Sequence, residues 1–115
     1  MEDIFMSEQL VPIFRVTDAR VTAKWYERLG FDLEGEHQFA PNLPIYAFLR
    51  RGDILLHLSE HKGDATPHSL VYFYVDDVDA IAEEFGVAVT EQPWCREVSL
   101  TDPDGNRLRV GQKLN

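Results

Sequence analysis

Few side chains in this sequence have the type and spacing that catalysis requires. The single cysteine, Cys95, has no histidine or lysine beside it in the sequence, and only Arg96 follows it. Because a cysteine nucleophile needs a neighbouring base or a stabilised thiolate, we expect no reactive thiol here. Asp76, Asp77 and Asp79 resemble a calcium-binding loop, but the glycine and closing glutamate of such a loop are not at the required spacing. We interpret them as the capped start of a helix.

The remaining candidate for chemistry is His57, which lies on a predicted strand. A lone histidine on a sheet is more often a hydrogen-bonding wall residue than a metal ligand, because a zinc site needs three or four donors together. His61 and His68 are close in sequence, but they fall on the polar segment that links two strands. The residues therefore predict neither a nucleophilic site nor a metal centre.

The composition restricts the possible partners. The chain has 115 residues, a formal net charge of −9 and one cysteine. An acidic surface repels phosphate backbones, so we expect no nucleic-acid binding. No apolar run reaches the roughly 18 residues that span a bilayer, so we expect no membrane segment. Met1–Leu10 lacks the pattern of a secretory signal, and a lone cysteine fits a reducing compartment, so we expect a cytoplasmic protein.

The elements that must position these side chains occur twice along the chain. In the first unit we predict a strand at Leu10–Val16, a helix capped by Thr17 or Asp18 and closed by Gly30, and strands from Phe31, at Ile45–Arg50 and at Ile54–Ser59. In the second we predict a strand at Leu70–Val75, a helix capped by Asp76 or Asp77 and closed by Gly86, an extended segment Val87–Val89, and strands at Glu97–Thr101 and Arg107–Val110.

The spacing of matching residues supports this repeat. Asp18 and Asp77 are 59 positions apart, whereas Gly30 and Gly86 are 56 apart, so the second helix should be about three residues shorter. The pattern predicts an α+β fold of two βαβββ modules, at about residues 8–60 and 68–112, within one domain of residues 1–115.

Alternation along the strands separates two faces of the sheet. One face is almost wholly apolar and should receive both helices; it collects Leu10, Phe14, Val16, Ala47, Leu49, Ile54, Leu56, Leu58, Val71, Phe73, Val75, Val98, Leu100, Leu108 and Val110. The first helix should pack through Val21, Trp25, Tyr26 and Leu29, and the second through Val78, Ile81, Ala82 and Phe85.

We call the other side of the sheet the open face. It mixes aromatic rings with scattered polar groups, a composition typical of a ligand cleft or an interface. Its residues are Val11, Ile13, Arg15, Tyr46, Phe48, Arg50, Leu55, His57, Ser59, Leu70, Tyr72, Tyr74, Glu97, Ser99, Thr101, Arg107 and Arg109.

Five motifs occur in a fixed order along the chain. They are Trp25–Phe31, Arg51–His57, Val75–Val78, Glu91–Glu97 and Asp102–Asn106. From about Val11 to Gln112 the chain thereby resembles the bleomycin resistance proteins, which belong with the glyoxalases to the vicinal oxygen chelate superfamily. The stretch Gln-Pro-Trp-x-Arg-Glu is the most specific, because it points to the drug-binding branch.

The resemblance implies paired βαβββ modules in a curved mixed sheet with the helices on its convex face. It also implies a homodimer whose interface clefts sequester a bleomycin-type glycopeptide without catalysis and without a cofactor. The family's stacking tryptophan falls on Trp94, and cleft residues fall on Tyr46, His57, Ser59 and Tyr72. With two further open-face residues, the expected ligand-binding set is Tyr46, Phe48, His57, Ser59, Tyr72, Trp94 and Arg109.

Two alternatives remain open on the sequence. The first is a metal-dependent enzyme of the superfamily, such as a glyoxalase, thiol transferase or dioxygenase. Its four metal-ligand positions fall on Val11, His57, Leu70 and Arg109, and only His57 is a plausible donor, so we expect no metal.

The second alternative is a binding protein for an unrelated small molecule. Cys95 stands where the family usually has glycine, the stretch 86–92 is shorter than typical, and the loop 37–44 is longer. These differences fall beside the expected cleft, so they bear on which ligand is bound.

Overall fold

The computed structural model describes residues 8–114, and within them the predicted order of elements recurs twice. The first module has β1 (Ile13–Arg15), α1 (Ala19–Glu27), β2 (Asp32–Gln38), β3 (Ile45–Arg51) and β4 (Ile54–Ser59). The second has β5 (Leu70–Tyr74), α2 (Val78–Phe85), β6 (Thr90–Glu91), β7 (Cys95–Thr101) and β8 (Arg107–Lys113). The predicted α+β fold of paired βαβββ modules is confirmed. No helix in the described part of the chain is long and apolar enough to cross a membrane.

Strand hydrogen bonds divide the predicted curved sheet into two halves, one for each module. The first half has the order β1-β4-β3-β2 and the second the order β5-β8-β7-β6. In each half the first strand runs parallel to the last strand of its module, and the other neighbours are antiparallel. Consequently β1 and β5 are both edge strands, and the modules must be joined by side chains and turns.

Both helices begin with the same arrangement of caps. The Asp18 side chain accepts hydrogen bonds from the second and third backbone N–H groups of α1, and Asp77 accepts one from the third of α2. The first N–H of each helix is bound by a side chain from the end of the module's last strand. Ala19 N donates to Glu60 Oε2 at 2.8 Å, and Val78 N donates to Gln112 Oε1 at 2.9 Å. These bonds satisfy donors that would otherwise be unpaired at a helix start.

The helix ends differ in a way that the repeat did not reveal. In α2, Gly86 follows the last helical residue directly and takes the left-handed conformation, with φ +65°. In α1, the helix stops at Glu27, and Gly30 adopts φ +87° three residues later. The difference in spacing between the two modules therefore falls mainly in the turn before Gly30, and not in the helix as predicted.

Two sequence predictions about local structure were wrong. Val21 is 59% exposed, because α1 packs through Ala19, Thr22, Ala23 and Tyr26 instead. Leu10 is 94% exposed, since β1 begins only at Ile13, after a proline that has no N–H for a ladder. The segment Val87–Val89, predicted as extended, precedes β6, and pairing with β7 starts at Thr90. The second helix does pack as predicted, with Val78, Ile81 and Ala82 buried.

A buried polar contact joins the two modules. The turn Asp102–Asn106 follows β7, and its Asp102 Oδ2 accepts a hydrogen bond from Tyr26 Oη of α1 at 2.7 Å. Asp102 Oδ1 accepts the backbone N–H groups of Asp104 and Asn106, and Asn106 Nδ2 donates to Arg15 O at 3.1 Å. Burial raises the pKa of Tyr26, and the Asp102 carboxylate raises it further, so the hydroxyl stays a donor.

We predict that Tyr26→Phe lowers the free energy of unfolding by about 1–3 kcal/mol, because it leaves a buried carboxylate oxygen short of one donor. Urea unfolding followed by circular dichroism measures the change. The matched control is Tyr74→Phe, whose ring is exposed and whose hydroxyl has no hydrogen bond to another described side chain. Equal stability of the two variants would show that the contact does not hold the modules together.

Candidate functional site

Much of the open face is exposed to solvent. It carries exposed large apolar side chains on three strands and on the turn before β7: Ile13, Phe48, Leu70, Tyr74 and Trp94. Most of the opposite face is buried as the alternation predicted, whereas Leu10 is exposed and Ile54, Val71, Phe73 and Val75 are partly buried. Exposed apolar groups that share one surface are typical of a ligand site or a protein interface.

Module 1 contributes an aromatic wall made by neighbouring strands β3 and β4. His57 lies opposite Phe48 in the register, and their rings meet edge to face at 4.9 Å. Tyr46 lies two residues before Phe48, and its Oη shares a 2.8 Å hydrogen bond with His57 Nδ1. Partial burial lowers the pKa of His57, so the ring is neutral at pH 7. The hydrogen bond fixes both rings, which makes the wall a preorganised stacking surface.

Ser59 lies at the inner end of this wall and is fully buried. Its hydroxyl donates to Asp64 Oδ2 at 2.6 Å and accepts the backbone N–H of His61 at 3.1 Å. The pKa of Tyr46 is raised by burial and by the negative charge of Asp64. Ser59 thus holds the segment after β4 in place, with Asp64 beside the aromatic wall.

A shallow hollow of about 300 Å³ continues the wall towards the longer loop. It is lined by His37, Phe39, Tyr46, Phe48, His61 and Asp64. The Phe39 ring packs edge-on against His37 at 4.4 Å and against His61 at 6.2 Å, so it links the end of β2 to the segment after β4. The sequence indicates that the loop 37–44 is longer than in the family, but none of its residues was predicted to bind the ligand.

Module 2 carries a different group of side chains at the matching place. Tyr72 Oη donates to Glu97 Oε1 at 2.6 Å and lies 2.9 Å from Cys95 Sγ. These side chains belong to β5 and β7, and they meet across β8 because Gly111 has no side chain there. A Cβ on Gly111 would lie 3.0 Å from Tyr72 Oη and 3.2 Å from Cys95 Sγ. Burial and these two partners raise the pKa of Tyr72, which keeps its hydroxyl protonated.

Trp94 stands at the mouth of this group, on the turn between β6 and β7. Backbone hydrogen bonds between Gln92 and Cys95 close that turn, and the Trp94 side chain is 56% exposed. The Trp94 side chain lowers the pKa of the Tyr72 hydroxyl, whereas burial, Cys95 and Glu97 raise it. The predicted stacking residue therefore lies beside the predicted aromatic residue of β5.

Arg109 occupies in module 2 the position that His57 occupies in module 1. The equivalence follows from two matching backbone hydrogen bonds: Ser59 O accepts from Val16 N, and Gly111 O accepts from Val75 N. His57 lies two residues before Ser59, and Arg109 lies two residues before Gly111. Arg109 is exposed on β8, between Tyr72 and Ser99 in the register. Residues 8–114 contain no group of three or more histidine, cysteine, aspartate or glutamate side chains that could hold a metal ion.

Sequence reasoning missed four contributors to these surfaces. Glu97 was predicted on a strand, and Cys95 was identified as the residue next to Trp94. Their contact with Tyr72 could not be predicted, because it depends on the register of strands β5, β8 and β7. Phe39 and Asp64 lie in irregular segments, where no periodicity applies. The available signal was Glu97, a carboxylate on the open face of a predicted strand that is only 8% exposed in the structure.

This arrangement defines a paired-module protein with an open, aromatic-lined face. The sequence matches the model of a family described as glyoxalase superfamily protein over residues 2–115. The chain therefore belongs to the glyoxalase superfamily. No curated protein sequence matches the chain.

Solved structures share the fold along nearly the whole chain. A bleomycin-binding protein in complex with bleomycin is 27% identical, with a TM-score of 0.72 over 94% of this chain and 100% of that one. The antibiotic-binding protein TnmS3 from Streptomyces sp. CB03234 is 23% identical, with a TM-score of 0.71 over 97% of this chain and 100% of that one. A bleomycin resistance determinant encoded on the transposon Tn5 is 24% identical, with a TM-score of 0.69 over 95% and 100%. The predicted resemblance in fold is confirmed.

We predict that His57 makes stability depend on pH. The unfolded histidine has a pKa of about 6.5, and the folded pKa is lower because of burial. Between these values the unfolded state binds more protons, so stability that is present above about pH 6.5 is lost as the pH falls. His57→Gln should flatten the pH dependence of urea unfolding between pH 7 and 5, whereas His37→Gln, at an exposed position, should not. Parallel curves for wild type and His57→Gln would contradict the assignment.

Proposed function

We propose that the chain binds and sequesters a bleomycin-type glycopeptide antibiotic in clefts at a homodimer interface, without catalysis, and so confers resistance in the cytoplasm. The observation that carries this proposal is the exposed Trp94 beside Tyr72, on the same face as the exposed ring of Phe48 and the partly buried ring of Tyr46. The likeness to a bleomycin-binding protein that was solved with bleomycin supports it.

The chemistry of such a drug suits this surface. Its planar bithiazole gains most from rigid aromatic rings, and stacking contributes about 0.5–1.5 kcal/mol per pair beyond the buried area. Its cationic tail is attracted by a chain with a net charge of −9 and by Asp64 beside the module 1 wall. Stacking on Tyr46 needs no reorganisation of that ring, because its hydrogen bond with His57 already fixes it.

Six residues of the proposed binding set have distinct roles, and the seventh, Arg109, lies beside Tyr72 on the neighbouring strand. Trp94 and Tyr72 stack on the ligand from module 2, and Tyr46 and Phe48 do so from module 1. His57 orients Tyr46, and Ser59 acts through Asp64, since its own hydroxyl is buried.

The side chains of the face support binding better than catalysis. Cys95 is buried and its Sγ contacts the Tyr72 hydroxyl, with no histidine or lysine at hydrogen-bonding distance among the described residues. Of the four superfamily metal positions only His57 is a metal donor, and Arg109 carries a positive charge. A metal-dependent enzyme would therefore need ligands that this face does not offer.

We predict a homodimer, because the exposed apolar side chains of the open face are too many to leave in water on a monomer of this size. Sedimentation velocity at micromolar concentration should show one species of twice the chain mass. A stable monomer under these conditions would contradict the proposed interface clefts.

We predict that metal-free bleomycin binds and that Trp94→Ala weakens this binding by about 2–4 kcal/mol, the loss expected for a central aromatic anchor. Trp94→Phe should retain most of the affinity. Calorimetry in the presence of EDTA measures binding, and thermal melts of each variant establish that the fold survives.

The matched control is Val21→Ala, which removes apolar surface of similar exposure from the helical side. It should leave the affinity unchanged. Absence of heat with wild-type protein would show that the ligand is a different small molecule. Unfolding of Trp94→Ala would show that the tryptophan belongs to the core.

A further inference from the structure

Six of the eight arginines in the chain have their guanidinium groups engaged by other described residues. The pairs are Arg20 with Glu36, Arg28 with Glu84, Arg50 with Glu34, Arg96 with Asp79 and Glu91, Arg51 with the Leu29 carbonyl, and Arg15 with the Val16 carbonyl. The remaining two, Arg107 and Arg109, form no ion pair or side-chain hydrogen bond within residues 8–114. Both guanidinium groups are exposed, and no carboxylate of the described residues pairs with either of them.

These two arginines share one face of β8. Residues two apart on a strand lie about 7 Å from each other, so the two guanidinium groups can reach a single group between them. In the register, Arg107 faces Thr101 and Leu70, and Arg109 faces Ser99 and Tyr72. The flanking positions thus offer hydroxyl groups and apolar surface but no carboxylate. Without an anion, neighbouring guanidinium groups repel each other.

The same residues line a hollow of about 100 Å³, formed by Leu70, Ser99, Leu100, Thr101, Arg107, Leu108 and Arg109. This is well below the roughly 300–1,000 Å³ of a site for a drug-sized molecule. It suits a single carboxylate, sulfate or phosphate group. Guanidinium groups bind such oxyanions through paired N–H donors, and the hydroxyl groups of Ser99 and Thr101 can donate to the remaining oxygens.

We propose that Arg107 and Arg109, with Ser99 and Thr101, form an oxyanion subsite on the module 2 half of the open face. The subsite takes a carboxylate, sulfate or phosphate group of a small molecule. Because Tyr72 is the register neighbour of Arg109, an oxyanion held there lies beside the Tyr72 side chain. This inference does not depend on which aromatic ligand the protein binds.

The first test uses inorganic anions. Sodium sulfate, phosphate and acetate are each titrated into ¹⁵N-labelled protein against chloride at constant ionic strength. We expect saturable shifts of the Ser99, Arg107 and Arg109 amides and of the arginine side-chain Nε–H signals. The double variant Arg107→Gln, Arg109→Gln should lose this response. Arg50→Gln, which removes an ion-paired arginine from the module 1 half of the open face, should keep it.

The second test separates the oxyanion subsite from the aromatic wall. It compares 2-naphthoate with the neutral 2-naphthamide by calorimetry. We expect naphthoate to bind about tenfold more tightly, an advantage that the double variant loses and Arg50→Gln retains. Equal binding of the two probes to the wild type would overturn the subsite while leaving the aromatic wall intact.

Other outcomes also overturn the inference. Shifts with sulfate that persist in the double variant would show adventitious anion binding elsewhere. A double variant that loses the dimer in sedimentation, while wild-type protein shows no anion response, would assign both arginines to carboxylates of a second copy. If naphthoate binds and naphthamide does not, the result counts against the aromatic wall and not against the subsite. The sulfate titration measures anion binding at the subsite independently of any aromatic group.

Discussion

The hydrogen bond from Tyr26 to Asp102 lies at the centre of a buried polar cluster that joins the two modules. Strand pairing stops within each module, so no backbone ladder connects them. The Asp102 carboxylate instead gathers the turn that contains it and the hydroxyl of a buried tyrosine from the other module. Asp104 adds bonds to the Thr17 N–H and the Thr22 hydroxyl at the start of α1. Since a buried carboxylate is costly without its donors, the turn and helix α1 fold in one arrangement.

That arrangement places two chemically different surfaces side by side on the open face. The repeat gives both modules the same backbone positions, but the side chains have diverged. Ser59 in module 1 corresponds to Gly111 in module 2. This difference determines whether side chains of the two flanking strands can meet over the last strand of the module. Gly111 lets Tyr72 reach Glu97 and Cys95, whereas the module 1 wall is built from rings that pack edge to face around His57. One half is therefore mainly aromatic, and the other combines an aromatic rim with polar and cationic groups.

Periodicity and capping chemistry were enough to predict much of this fold. Period-two alternation assigned the buried and open faces of most strands, and the aspartates 59 positions apart proved to be the two helix caps. The prediction failed where the deciding contact was not local. Val21 fits an apolar helical stripe in the sequence, yet it is exposed and the neighbouring Thr22 is buried. The Thr22 hydroxyl faces inward, where it donates a hydrogen bond to Asp104 of the other module. The contact of Tyr72 with Cys95 and Glu97 depends on register across three strands and on the absence of one side chain, which no single segment reveals.

The central claim is that the open face is the ligand-binding surface of the protein. Amide shift mapping with metal-free bleomycin tests it most directly, because the method reports the location of binding without any substitution. The account predicts shifts concentrated on β3, β4 and β5 and on the turn around Trp94, with α1 and α2 unaffected. Shifts confined to the helical side, or a spectrum unchanged at saturating drug, would contradict it.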